Sequence, residues 1–333
     1  MRCLEVRQGG LEMSDPRILV AGVGGLGSVF GGFLQRSGHD VTLLGRKPHL
    51  EAIGREGLRI EGIWGDHRVQ GFDLAVSPGD LRGPFDLILV AVKSYDTEAL
   101  AKSLIGTLSD SGVALSLQNG LGNLEILARA FGPEQVLGAP VLVGAEIPAP
   151  GHVRVTVYAK PVKVGAPWGG SSISAARRWA ELFTAAGIPS EPTDRLFAYL
   201  WEKVLYNAPL NPLGALLRVS YGALAEEGES RAIMDEVIDE GISVARAERV
   251  DLLWESTEAC RRHFYEKLLP PTAHHRSSML QDLERGRRTE IDSINGYISR
   301  RGASLGTATP ANTLLTRLVH FAERRGATPQ RLG

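Results

Sequence analysis

Cysteine is nearly absent from this chain. Of 333 residues only Cys3 and Cys260 are cysteine, far apart and outside any CxxC spacing, which argues against a disulfide framework or a cysteine-built zinc site. A reducing compartment and no bound metal are expected. Charge of one sign is also lacking: 37 Lys and Arg stand against 38 Asp and Glu, so no global field draws the chain to nucleic acid or to an anionic membrane. Local clusters such as Arg285 to Arg288 and Arg324-Arg325 read as solvated helix ends. No apolar run approaches the ~18 residues of a membrane span, and the N-terminus lacks the uninterrupted apolar core of a signal peptide. These absences lead to the expectation of a cytoplasmic protein with neither nucleic-acid nor membrane partners. Internal repeats and low-complexity tracts are missing too.

What remains is ordinary globular content, 43% hydrophobic and 23% charged, over a length that accommodates two domains. Residues 1–12 carry no pattern and precede Met13, a second candidate start. We expect 1–15 to be a disordered extension, 16–193 a dinucleotide-binding domain, 194–326 a helical domain and 327–333 a tail.

From Arg17 the chain reads Arg-Ile-Leu-Val-Ala-Gly-Val-Gly-Gly-Leu-Gly27 and continues into an apolar-periodic segment through Phe30, Phe33 and Leu34. The order is strand, glycine turn, helix. Gly22, Gly24 and Gly27, with Gly25 and Leu26 between them, have the spacing that makes a tight turn, lets backbone approach a pyrophosphate, and seats the helix close to the strand. After a second strand at Asp40–Leu44, the place where an NAD site sets a carboxylate for the ribose hydroxyl, ~20 residues past the first glycine, holds Gly45-Arg46-Lys47. Arg46 can fork onto a 2′-phosphate, which predicts NADP(H) rather than NAD(H) or FAD; the alternative is a surface Arg-Lys pair.

Asp86 to Val92 is a continuous apolar run of the type buried on both faces of a parallel sheet, and it delivers Lys93 to its carboxyl end, where ligands of open α/β sheets bind. Val113–Leu117 is a similar run ending in Gln118-Asn119-Gly120. Asn119 is a candidate contact to cofactor or substrate, or simply half of an Asn-Gly turn. Two further β-rich stretches, 135–147 and 152–164, flank a Pro148-Ala-Pro-Gly151 turn and precede a helix near 173–186. Pro189 and Pro192 mark a boundary near residue 193.

Beyond it the period changes to 3.6, with helices expected near 195–218, 229–249, 254–268, 277–285, 290–301 and 310–325, the last capped by Thr309 with Pro310 at its first position. Lys203, Asn207 and Asn211 stand at i, i+4 and i+8 and share one helical face. An ammonium beside two carboxamides suits a small oxygen-rich substrate; read blandly, it is a solvated stripe, with Pro209 and Pro212 able to bend it. Ser278 and Glu290 are candidates in the Ser277–Asp292 segment, where Thr289 with Glu290 and Asp292 also fits an ordinary helix cap.

Together these motifs resemble the ketopantoate reductase family over residues 16–325: Gly22 to Gly27, Val41 to Arg46, Val92-Lys93, Gln118 to Gly120, Trp201-Glu-Lys203 with Asn207 and Asn211-Pro-Leu213, Ser278 to Asp282, and Thr289 to Asp292 running to Asn295-Gly296. The resemblance implies a doubly wound α/β Rossmann domain followed by an all-α C-terminal domain of the 6-phosphogluconate dehydrogenase C-terminal-like type. It further implies NADPH-dependent reduction of 2-dehydropantoate to (R)-pantoate on the route to pantothenate and coenzyme A. In that frame Lys203 is the general acid and Glu290 binds the reacting oxygen and the lysine. Asn207, Asn211 and Ser278 hold substrate, and Asn119 and Lys93 lie between cofactor and substrate. Pro209, Tyr221 and His275 depart from the family pattern. Alternatives are a reductase of another branched or hydroxylated 2-oxo acid, a site of the opine or 3-hydroxyacid dehydrogenase kind, against which the pairing of Lys203 with Glu290 argues, and a non-catalytic NADPH sensor. Self-association into a homodimer is left open.

Overall fold

A computed structural model describes residues 15–169 and 172–326. The expected extension, apart from Asp15, and the tail at 327–333 lie outside these residues. The first half alternates strands and helices: β1 (Arg17–Ala21), α1 (Gly25–Arg36), β2 (Asp40–Leu44), α2 (Lys47–Glu56), β3 (Leu58–Gly62), β4 (His67–Val69), β5 (Asp73–Ala75) and β6 (Phe85–Val90). It continues through α3 (Thr97–Ser103), β7 (Leu108–Ser116), α4 (Asn123–Phe131), β8 (Val136–Gly138), β9 (Val143–Ala149), β10 (His152–Tyr158), β11 (Val162–Gly165), α5 (Ser172–Ala185) and β12 (Ser190–Thr193).

Eight strands form one sheet in the order β12-β11-β8-β7-β6-β1-β2-β5, parallel throughout except where β11 meets β8. Ile18, Leu19 and Val20 of β1 and Leu87, Ile88 and Leu89 of β6 are fully buried, as strands covered on both faces must be. Chain order reverses between β1 and β6. That reversal opens a crevice at their carboxyl ends, where the glycine turn and Lys93 emerge.

The expected long strands at 135–147 and 152–164 are each broken. Pro140 and Pro161 cannot donate to a ladder, so β8 and β11 stay in the main sheet while β9 and β10 turn away and join β3 and β4 in a separate four-stranded sheet. Helix α1 lies between the two sheets, and its adjacent glycines make that possible. A Cβ on Gly31 would stand 3.0 Å from Leu43 of the main sheet, and one on Gly32 would stand 2.4 Å from Ile60 of the small one.

The second half is helical: α6 (Leu196–Leu217), α7 (Tyr221–Glu226), α8 (Gly228–Ala247), α9 (Thr257–His263), α10 (Ser278–Glu284), α11 (Asn295–Leu305) and α12 (Pro310–Gly326). Two expectations are corrected, and one helix was not expected. The helix near 254–268 changes to a π-helical turn at Phe264–Leu268. That near 290–301 begins as a 3-10 turn, Ile291–Ser293, and is interrupted at Ile294 before α11. The short α7 carries no period long enough to read from sequence. At α12 the first-turn amides of Ala311 and Asn312 donate to the Glu240 carboxylate, at 2.7 and 2.9 Å.

Helix α6 runs unbroken through Pro209 and Pro212. Proline at 212 removes the amide that would serve the carbonyl of Ala208. Asn295 takes its place: its Nδ2 donates to Ala208 O at 2.9 Å and to Asn312 Oδ1 at 3.0 Å, and both asparagines are fully buried. Replacing Asn295 by Ala should therefore strand a buried carbonyl and lower the unfolding free energy by about 1–3 kcal/mol. Chemical denaturation measures this, and an unchanged midpoint would show that Ala208 O needs no donor.

Candidate active site

The glycine turn divides its work among three residues. Gly22 has φ +106°, and a Cβ there would stand 2.5 Å from the amide nitrogen of Val92. At Gly27 a Cβ would fall 2.0 Å from Gly22 O, so only glycine lets α1 start this close to β1. Gly24, the N-cap of α1, is different: a Cβ there would meet nothing within 4 Å, and no side chain caps the first turn. Open space in front of uncapped amides is a place for an anion. Leu26 packs on the core beneath this turn, and Gly25 approaches Ala145 of β9.

Arg46 follows β2 as the N-cap of α2 and is exposed, with no ion pair among the described residues. No acidic residue stands beside it in Gly45-Arg46-Lys47.

Opposite the turn, the helical half meets the carboxyl ends of β6 and β7 around the Glu290 carboxylate. Glu290 Oε1 accepts the backbone N–H of Ser94 at 3.1 Å, while Oε2 accepts from Asn119 Nδ2 at 3.0 Å and from Lys93 Nζ at 3.4 Å. The neighbouring turn is pinned as well. Ser94 and Ser293 join hydroxyls at 2.8 Å, and Leu121 N–H donates to Ser293 O at 2.9 Å. Gly120, at φ +80°, is required here because a Cβ would strike Ser293 O at 2.3 Å. The Asn-Gly pair is thus both a turn and a docking surface.

Lys93 is held more closely by Asp282 of α10, 2.6 Å away, whose other oxygen accepts from Arg287 at 2.7 Å. Burial by itself would lower the Lys93 pKa; the two carboxylates outweigh it and hold the ammonium above the ordinary lysine value. Sequence reading missed Asp282 as a site residue. The available signal was its place on the buried face of α10 with Met279, since a carboxylate on an apolar face needs a partner.

Lys203 projects from the middle of α6. It is 4% exposed, and its Nζ has no hydrogen-bond partner among the described residues. Burial pushes its pKa from 10.5 down to about 8, against the opposing attraction of Glu290. A buried ammonium without a partner is costly to keep, and an amine titrating near neutrality exchanges protons readily.

Asn207 and Asn211 are buried on the same helix, and the bland reading of a solvated stripe fails for all three members. Asn207 makes no side-chain hydrogen bond among the described residues, whereas Asn211 Oδ1 accepts the hydroxyl of Tyr221 at 2.6 Å. Ser277, buried, caps α10 and donates to Asn211 O at 3.2 Å. Its neighbour Ser278 is the exposed first residue of that helix. Lys93, Asn119 and Glu290 therefore touch directly, with Lys203 in electrostatic range of Glu290, while Arg46 and Ser278 contact none of these groups.

Residues 18–168 match the family described as ketopantoate reductase PanE/ApbA, and residues 195–323 match its C-terminal counterpart. A 2-dehydropantoate 2-reductase of Aquifex aeolicus is 37% identical over 92% of this chain and 97% of its own. The crystal structure of a PanE/ApbA family ketopantoate reductase from Ralstonia eutropha superposes with a TM-score of 0.83 at 36% identity, covering 94% of this chain and 100% of that one. A D-mandelate dehydrogenase solved with NADH and anilino(oxo)acetate superposes with a TM-score of 0.86 at 27% identity, over 94% and 100% of the two chains.

The state of Lys203 has a consequence for stability. Because its folded pKa of about 8 lies below the ordinary 10.5, the native protein binds fewer protons than the unfolded one between those values, and stability rises with pH across that window. Lys203→Met should accordingly be more stable than wild type below pH 8, by up to about 3 kcal/mol, with the difference closing toward pH 10.5. Urea titrations at pH 7 and 10 check it; equal stability at pH 7 would mean that the ammonium is already satisfied.

Proposed function

The chain belongs to the ketopantoate reductase family, and from that premise we propose that it reduces 2-dehydropantoate to (R)-pantoate with NADPH, a cytoplasmic step toward pantothenate and coenzyme A. As a member of this family it is an oxidoreductase acting on a CH–OH group. The observation that carries the reading is Lys203: a sealed, unpartnered ammonium facing Glu290 between the two halves.

The dinucleotide fits the first half on two counts. The open cradle at Gly24 and the uncapped start of α1 suit a pyrophosphate, and exposed Arg46, with no acid beside it, suits a 2′-phosphate. Lys93 and Asn119 stand at the sheet edge between this site and α6. When bound, the nicotinamide supplies hydride to the carbonyl carbon of the keto acid. Lys203 then meets the negative charge that develops on the carbonyl oxygen and gives it a proton. A pKa of about 8 leaves the amine protonated at neutral pH, yet a stronger acid than an exposed lysine. Glu290, fixed by Ser94 N–H, Asn119 and Lys93, steadies that ammonium and hydrogen-bonds the reacting oxygen once it is a hydroxyl. Asn207, Asn211 and Ser278 hold the remaining oxygens of the substrate.

A second reading, reduction of another branched or hydroxylated 2-oxo acid, is favoured by one feature. Tyr221 and His275, which pack edge to face at 5.3 Å, stand beside Asn211, Tyr221 bonding its carboxamide, so aromatic groups back the end of the polar file remote from Lys203.

Initial rates with 2-dehydropantoate should be higher with NADPH than with NADH. In Arg46→Asp, NADPH should bind about 10- to 150-fold more weakly, the scale of one charge-assisted hydrogen bond. Unchanged NADPH affinity would return Arg46 to the surface. For the acid, Lys203→Ala should lose at least ~100-fold in kcat while still binding keto acid and NADPH. Wild-type kcat/KM for reduction should fall as pH rises through about 8. Near-normal turnover in that variant removes Lys203 from the reaction.

A further inference from the structure

The carboxamide of Asn211 has only half of its hydrogen-bonding capacity free. Its Oδ1 accepts the Tyr221 hydroxyl at 2.6 Å, whereas its Nδ2 has no partner among the described residues and is not sealed from solvent. Tyr221 cannot easily turn elsewhere. It is 3% exposed, its ring meets Tyr206 at 6.0 Å and His275 at 5.3 Å edge to face, and its backbone N–H donates to His275 O at 3.1 Å. The Tyr206 hydroxyl is engaged with Thr272 at 2.6 Å. Rotating the Asn211 amide by half a turn would leave the Tyr221 proton without an acceptor inside a buried site, so the amide is locked in one sense.

We propose that Tyr221 is a specificity-determining positioning residue, which aims the N–H of Asn211 at the substrate and so demands a hydrogen-bond acceptor at the end of the keto acid remote from Lys203. This deepens the reductase reading above and rests on it. Asn211 lies two helical turns from Lys203 on the same face, so it addresses the far end of a short chain rather than the reacting carbonyl. Asn207, one turn nearer, has both functions of its carboxamide uncommitted. A remote hydroxyl then fits without conflict: its oxygen accepts from Asn211 Nδ2, and its proton goes to Asn207 Oδ1. A keto acid lacking that hydroxyl covers this N–H without pairing it, which is the strongest form of discrimination a polar pocket has.

The selectivity ratio tests this: kcat/KM with NADPH for 2-dehydropantoate over that for 3,3-dimethyl-2-oxobutanoate, the same acid without its C4 hydroxyl. We expect a wild-type ratio of at least ~10. Tyr221→Phe frees the amide to populate both orientations, and should lower the ratio about 2-fold through a higher KM for 2-dehydropantoate, with kcat nearly constant. Asn211→Asp, which keeps the acceptor for Tyr221 but has no N–H to offer, should lower the ratio as well, and carries the test should Tyr221→Phe fail a melting-curve check of its fold. An unchanged ratio in a folded variant, or a wild-type ratio near one, overturns the role of Tyr221 alone. Absence of turnover with both keto acids overturns the reductase reading and this proposal with it.

Discussion

A carboxylate removed from water must find donors, and among the described residues those that Glu290 finds belong to the opposite half of the molecule. The Ser94 amide, Asn119 and Lys93 all come from the carboxyl ends of β6 and β7, while Glu290 itself leads into the turn before α11. Satisfying this one group therefore sets the relation of the sheet to the helices. The contacts of Ser293 with Ser94, Gly120 and Leu121 reinforce the same junction. With Glu290 in place, Lys203 acquires a countercharge at a distance but no hydrogen bond, and Lys93 becomes an ion-paired spacer between the two carboxylates.

The wall that presents Lys203 is expensive in structural terms. Helix α6 buries nearly its whole length, with Glu202, Lys203, Asn207 and Asn211 among the buried residues, and contains two prolines. Several departures are offset elsewhere: Asn295, held by the accepting Asn312 Oδ1, restores a donor to the carbonyl exposed by Pro212, Tyr221 engages Asn211, and Glu240 closes the start of α12 next to them. Lys203, sealed from solvent, is left without such a partner among the described residues. A buried ammonium left without a hydrogen bond marks a place where chemistry rather than folding determines the residue.

Much of the architecture is legible along the chain because it rests on local periodicity. The β1-glycine-α1 unit, the buried runs at β6 and β7, and the long helices α6, α8 and α12 follow from patterns within a dozen residues. The small sheet of β3, β4, β9 and β10 is not legible. Its strands are short, come from segments about ninety residues apart, and pack on α1 where Gly32 lets a second sheet approach. In the site, Lys203, Asn207 and Asn211 stand out by helical spacing, and Glu290 also fits the first turn of a helix capped by Thr289. Asp282 escaped notice since its partner lies 189 residues earlier.

By itself the sequence determined the strand-turn-helix unit with its glycine spacing, the basic residue after β2, and the polar face of α6, all set by backbone geometry and side-chain period over short stretches. Tertiary structure alone decided which of those groups meet. The depressed pKa of Lys203, the fan of donors around Glu290 and the fixed sense of the Asn211 amide arise from burial and from partners distant in the chain, because desolvation and hydrogen-bond saturation depend on what surrounds a group in space and leave no trace in its neighbours along the chain.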